Sequence, residues 1–178
     1  MLEKILSNGN KPLTDEEKRY RIEIAQEHYG NFLNALGFNW KDDPNMSDTP
    51  NRVTKAYINE LMSGCFTDAP KITMFEEASS DYDGIVFQGN IEVVSMCSHH
   101  LLAFTGKAHV AYIPGKTVIG LSKLNRIVEW FSRRPQIQEG LTMQIHNYLQ
   151  EILPDNKGIA VLIEASHTCA SCRGVRHN

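Results

Sequence analysis

The stretch IVFQGNIEVVSMCSHHLLAFTGKAHVAYIPG, residues 85–115, decides how the chain folds. Before it, apolar residues recur at helical spacing; inside it the period changes. Ile85 to Gln88 and Ile91 to Met96 are rich in Ile and Val and read as strands. Phe104 to Ile113 is a further strand, and Pro114-Gly115 breaks it. Between the strands stand a thiol and two adjacent imidazoles, Cys97, His99 and His100, within four residues. Core building requires none of these groups there.

On the N-terminal side, Thr14-Asp-Glu-Glu17 is a capping box, followed at helical spacing by Ile22, Ala25, Tyr29, Phe32, Leu33 and Leu36. Gly37 closes that helix. A second helix is expected from Asp48-Thr-Pro-Asn-Arg52, with Thr49 as its cap, Pro50 in its first turn and Gly64 at its end. On the C-terminal side, Ser122 is expected to cap a short helix carrying Leu124, Ile127, Val128 and Phe131. Pro135 is expected to open a longer helix with Leu141, Ile145 and Leu149, and Ile159 to Ala165 is a strand again. The result is an N-terminal helical region, 1–84, and a region, 85–178, with the order β-β-α-α-β. That order means an α+β protein with antiparallel pairing.

The 178 residues suffice for a sizeable core without disulfides. A net charge of −3, from 18 basic and 21 acidic side chains, leaves no electrostatic footprint for nucleic acid or an anionic membrane. No apolar run approaches the ~20 residues of a membrane span. The opening MLEKILSNGNKPL lacks the apolar stretch and cleavage site of a signal peptide, so a cytoplasmic location is expected. In that setting Cys65, Cys97, Cys169 and Cys172 read as metal ligands or catalytic groups rather than as two disulfides.

Cys97 and His100 have a spacing that lets a turn aim both at one metal ion, and thiolate with imidazole is a zinc donor set. The second cluster is His167-Thr-Cys169-Ala-Ser-Cys172. If the last strand runs on through it, His167, Cys169, Ser171 and Arg173 share one face and Cys172 points away. Zinc held by Cys97, His100 and Cys169 then keeps an open position for water, the layout of a catalytic site. The alternative is a closed structural site of Cys97, His100, Cys169 and Cys172, or no metal. Between the clusters, Ser122 at a helix start offers a hydroxyl and free N–H groups to an anion, and Lys123 and Arg126 lie three apart on the helix surface. Taken alone, these residues are better explained by a capped amphipathic helix with a solvated basic face. Glu139 falls where a carboxylate suits the helix dipole and by itself needs no other role.

Taken together, Cys97-Ser-His-His100, Gly120-Leu-Ser-Lys-Leu-Asn-Arg126, Ser132-Arg-Arg-Pro-Gln-Ile-Gln-Glu139 and His167-Thr-Cys169 resemble the GTP cyclohydrolase I family. Asp48-Thr-Pro-Asn-Arg52-Val and Arg173-Gly174 extend the likeness, which runs from about residue 14 onward. The resemblance implies a tunnelling fold, rings of five subunits stacked as decamers, and zinc-dependent conversion of GTP to 7,8-dihydroneopterin triphosphate with loss of formate. It implies zinc ligation by Cys97, His100 and Cys169, and proton transfer by His99 and His167. It further implies guanine recognition by Glu139 assisted by Gln138, and triphosphate contacts from Arg52, Ser122, Lys123, Arg126 and Arg173. Two departures stand out: Ser98 replaces the glutamate common in relatives, and Cys172 is not expected there. The family's C-terminal strand and helix are expected to be shortened or absent.

Overall fold

The computed structural model describes residues 3–75, 84–174 and 176; the parts of the two expected regions at 1–2, 76–83, 175 and 177–178 lie outside the described residues. Helix α1 spans Asp15–Ala35 and opens on the expected box. Glu17 N–H donates to Thr14 Oγ1, and Thr14 N–H donates to the Glu17 carboxylate. It closes on Gly37, whose φ of +85° only glycine adopts at no cost. There Gly37 N–H reaches Asn34 O and Phe38 N–H reaches Leu33 O, a Schellman close.

Helix α2, Thr49–Ala56, runs into a π-helical turn, Tyr57–Leu61, and a short α3, Ser63–Phe66. Two expectations change here. Thr49 is already helical and Asp48 holds the cap position, its carboxylate taken by the side chains of Asn51 and Arg52. Gly64 does not end the helix but sits inside α3. A Cβ there would lie 2.0 Å from Trp130 O, so it is the close approach that demands glycine. The N-terminal segment is tied over α3: Asn10 Nδ2 donates to Gly64 O and Thr67 O, Lys11 N–H to Cys65 O, and Leu13 N–H to Phe66 O.

The rest is a four-stranded mixed sheet with helices packed on it and a separate two-stranded ladder. Strand β1 is Met74–Phe75, β2 Val86–Cys97, β3 Ala103–Ile113 and β4 Val118–Ile119. Helix α4 is Leu121–Ser132, β5 Pro135–Gln136, α5 Gln138–Ile152, β6 Gly158–His167 and α6 Thr168–Ser171. The main sheet has the order β5-β2-β3-β6, and β1 pairs with β4 separately. Along β3 every second residue is apolar: Phe104, Ala108, Val110 and Tyr112 are all buried against Ile127, Val128, Leu141, Ile145 and Leu149 of α4 and α5. The chain is α+β, as expected. The expected pairs of short strands at 85–88 and 91–96 are one strand, kinked by a bulge between Gln88 and Ile91. Asn90 takes the left-handed φ of 57° there, which Asn tolerates better than most residues.

Three further expectations are corrected. Pairing is antiparallel for β2–β3 and β3–β6 but parallel for β5 on β2. Pro135 opens no helix: Pro135 and Gln136 pair with Met96 and Cys97, and α5 starts only at Gln138. A proline suits this edge because it has no N–H to leave unpaired. Lastly, Ser122 is not the cap of α4. Gly120 is, extended from β4, and Lys123 N–H returns to its carbonyl at 2.8 Å. Tyr112 Oη holds that entry, accepting from Ile119 N–H at 3.0 Å inside the core.

Candidate metal centre and its surroundings

Strand β2 ends at Cys97 and β3 begins at Ala103, so residues 98–102 must reverse the chain. Cys97 N–H bonds Leu102 O and Leu101 N–H bonds Cys97 O, both at 2.8 Å. Closure puts Leu101 at a φ of 52°, a left-handed conformation costing a non-glycine residue roughly 1–2 kcal/mol. Tyr57 Oη donates to Leu101 O and so braces the turn from the helical region. The outcome is that Cys97 is buried while His99 and His100 are exposed beside it. His99 Nδ1 lies 3.8 Å from Cys97 Sγ.

The other half comes from β6. Its pairing with β3 ends at Phe104 and His167, since β3 extends only to Ala103. With no backbone partner left, the chain does not continue as a strand. Thr168 Oγ1 takes Ala103 O, Cys172 N–H bonds Thr168 O, and α6 forms. The expected strand parity of residues 167–173 is therefore wrong. Cys169 is delivered by a helical turn, and its Sγ together with Cys97 Sγ and a His100 ring nitrogen form a group within 4.8 Å. Cys172 lies outside this group, exposed, with its thiol on Thr168 O.

Two thiols and an imidazole at this spacing suit a soft divalent ion such as zinc. The electrostatics agree: burial first, then a hydrogen bond with Cys97 and the repulsion between two neighbouring thiolates, push the Cys169 thiol up. A bound cation removes that repulsion. His100 is meanwhile engaged by Arg173, whose Nη1 is 2.7 Å from Nε2. A guanidinium only donates, and a neutral imidazole has a single lone pair. Ligation of a metal by His100 and this hydrogen bond therefore exclude each other. Arg173→Ala is expected to bind zinc several-fold more tightly in competition with a chelator; weaker binding would show that Arg173 supports the site.

His167 stacks on Phe104 with ring centroids 4.7 Å apart. Its Nε2 is 2.8 Å from Gln138 Oε1, while Gln138 Nε2 donates to Ile163 O at 2.9 Å. A carbonyl can only accept, so the Gln138 amide orientation follows, and His167 carries its proton on Nε2. That leaves Nδ1 as the lone-pair nitrogen of a fixed ring. A groove of about 610 Å³ runs beside His167, lined by Thr105, Lys107, Glu164 and Ser166 among others.

The structure thus joins Cys97, His100, Cys169 and Arg173, and separately His167 and Gln138. Ser122, Arg126, Glu139 and Arg52 are exposed and Lys123 half-buried. Among the described residues no hydrogen bond or ion pair ties Ser122, Lys123, Arg126 or Glu139 to the cysteine–histidine group, and Arg52 is paired with Asp48 of its own helix. Sequence reasoning missed the buried polar residues Ser95 and Gln136 behind Cys97. Their one signal was Gln136 and Gln138 at strand spacing, masked by the expectation that Pro135 starts a helix.

The comparisons with known proteins point one way. The family model described as GTP cyclohydrolase I matches residues 25–178. GTP cyclohydrolase 1 of Flavobacterium johnsoniae is 43% identical over 178 residues, covering 96% of this chain and 77% of its own. That of Aeromonas hydrophila is 43% identical, covering 92% and 72%. The Pectobacterium carotovorum protein of the same name is 46% identical, covering 88% and 70%. The chain belongs to the GTP cyclohydrolase I family.

Proposed function

We propose that the protein hydrolyses GTP at C8, releases formate and forms 7,8-dihydroneopterin triphosphate, the first step of pterin and folate biosynthesis. The observation that carries this reading is the group Cys97–His100–Cys169 standing at the end of the same β3 pairing that holds His167. Zinc bound by those three residues supplies a Lewis acid that lowers the pKa of water toward ~7. His99, at 3.8 Å from the Cys97 thiol, and His167, with Nδ1 open, pass protons. Gln138 keeps His167 in one tautomer and orientation, as a partner on the second ring nitrogen does in other sites. Glu139 accepts the N1–H and exocyclic amine of guanine, a donor pair adenine lacks. Arg52, Ser122, Lys123, Arg126 and Arg173 hold the triphosphate; for Arg173 this follows its release from His100.

In this reading residues 85–178 form a tunnelling-fold catalytic region, and residues 1–84 a helical region packed on it. Ser122, Lys123 and Arg126 sit on α4 and reach no cysteine or histidine of their own subunit's group, which favours a site completed by a neighbour. The proposed assembly is a homo-oligomer of five-membered rings, stacked as a decamer. The outer edge of β6 in the main sheet is the place where a neighbour's strand can pair. Light scattering that finds a fully active monomer would sink the assembly. No helix among the described residues is long and apolar enough to cross a membrane, and a cytoplasmic location fits the reading.

The test is direct. Zinc-loaded protein incubated with GTP is expected to yield formate and, after oxidation, a fluorescent pterin, while ATP yields neither. Zinc binding without either product would mark a zinc-stabilised assembly protein instead.

A further inference from the structure

Behind the metal turn lies a buried polar network that the functional reading does not use. Gln136 is 3% exposed and Ser95 0%. Gln136 Nε2 donates to Phe131 O at 2.6 Å and to Ser95 Oγ at 3.2 Å, and its Oε1 accepts from Gln144 Nε2 at 2.8 Å. Ser95 Oγ spends its own proton on Arg134 O at 3.1 Å. Every member has one consistent role. Phe131 O can only accept, so the amide nitrogen of Gln136 must face it and the oxygen must face Gln144. One side chain thus ties together β2, the end of α4 and α5.

The backbone of the same residue is paired with the metal turn. Cys97 and Gln136 are register partners, and Ser98 N–H donates to Gln136 O at 3.1 Å. Two residues later the chain presents Gln138 to His167, and next to it Glu139. β5 has only two residues in its ladder, which is little to hold a register. The side-chain network supplies what so short a strand lacks, since a fully satisfied buried network rigidifies its surroundings.

We propose that Gln136 is a positioning residue that sets where Cys97 and the following turn stand relative to Gln138 and Glu139. It touches neither the metal nor the nucleotide; it holds the two walls of the site at a working distance. The inference rests on the functional reading above, in which one wall ligates zinc and the other reads guanine.

A Gln136→Met variant keeps the volume and removes all three side-chain hydrogen bonds. Two readouts separate positioning from simple core stability: the zinc dissociation constant from chelator competition, and the ratio of kcat/KM for GTP over ITP, which lacks the exocyclic amine. In folded Gln136→Met protein the zinc constant is expected to rise ~10-fold, the scale of losing a supporting partner of a metal ligand. The GTP-over-ITP ratio is expected to fall ~10-fold, because a misplacement of about 1 Å is enough for that. Should Gln136→Met fail to fold, Gln144→Met removes one of the three Gln136 side-chain ties, together with the Gln144 bonds to Gly140 O and Arg134 Nη1, and is expected to move both readouts in the same direction by ~3-fold. Unchanged zinc affinity and an unchanged ratio in folded variant protein overturn the proposal. Wild-type protein that neither binds zinc nor converts GTP would overturn the functional reading itself, which is a distinct result.

Discussion

Cys169→Ser is expected to lose both its zinc and its turnover, while Cys172→Ser keeps both. Cys169 is one of the three residues whose ligand atoms lie within 4.8 Å. Structural zinc binding of ~10–16 kcal/mol, shared among four ligands, puts roughly 3 kcal/mol on each. Losing one therefore weakens binding by roughly 10²-fold. Cys172 is exposed and its thiol is on the carbonyl of Thr168 in its own helical turn, outside the group. A third variant separates ligation from chemistry: His99→Ala is expected to retain zinc yet lose ~10²–10⁴-fold in turnover, the scale of general acid–base catalysis. Zinc content measured beside turnover decides all three. Zinc lost from Cys172→Ser would mean a closed centre of three cysteines and one histidine, with no position left for the attacking water.

Glu139→Gln is expected to cut GTP turnover by ~10²-fold or more. Glu139 stands in the first turn of α5, exposed, in a position where the helix dipole suits a carboxylate. In the proposed function its carboxylate would accept two N–H donors from guanine. The amide would instead set its NH₂ against one of them and lose a charged hydrogen bond, worth ~1.5–3 kcal/mol, and 2.7 kcal/mol is about 10²-fold. Because the exchange alters neither volume nor a core contact, the unfolding free energy should stay within the range of surface substitutions, ~0.5 kcal/mol. Steady-state kinetics with GTP decide it: turnover like that of wild type removes Glu139 from the site.

Much of this chain is legible from local chemistry. The capping box at Thr14 and Glu17 and the closing glycine at 37 are written in contiguous residues and satisfied by their own backbone. The period-2 pattern of Phe104 to Tyr112 names the core face of β3 without reference to anything distant. The C-x2-H spacing of Cys97 and His100 and the separate Cys169 pointed to the group that the fold brings together, because a metal site restricts its ligand types so strongly.

What the sequence could not decide by itself are the places where a partner far along the chain determines local conformation. Pro135 and Gln136 look like a helix start until β2 offers them a ladder and Ser95, Phe131 and Gln144 capture the glutamine side chain. Residues 167–173 look like the continuation of a strand, but a strand lasts only as long as its neighbour, and β3 supplies no residue beyond Ala103. Gly64 reads as a helix stop, whereas it is a contact point with the backbone of Trp130. The donor types were determined by sequence; their convergence was decided by the tertiary structure. Backbone hydrogen bonds must be satisfied somewhere, and only the assembled fold says where the partners are.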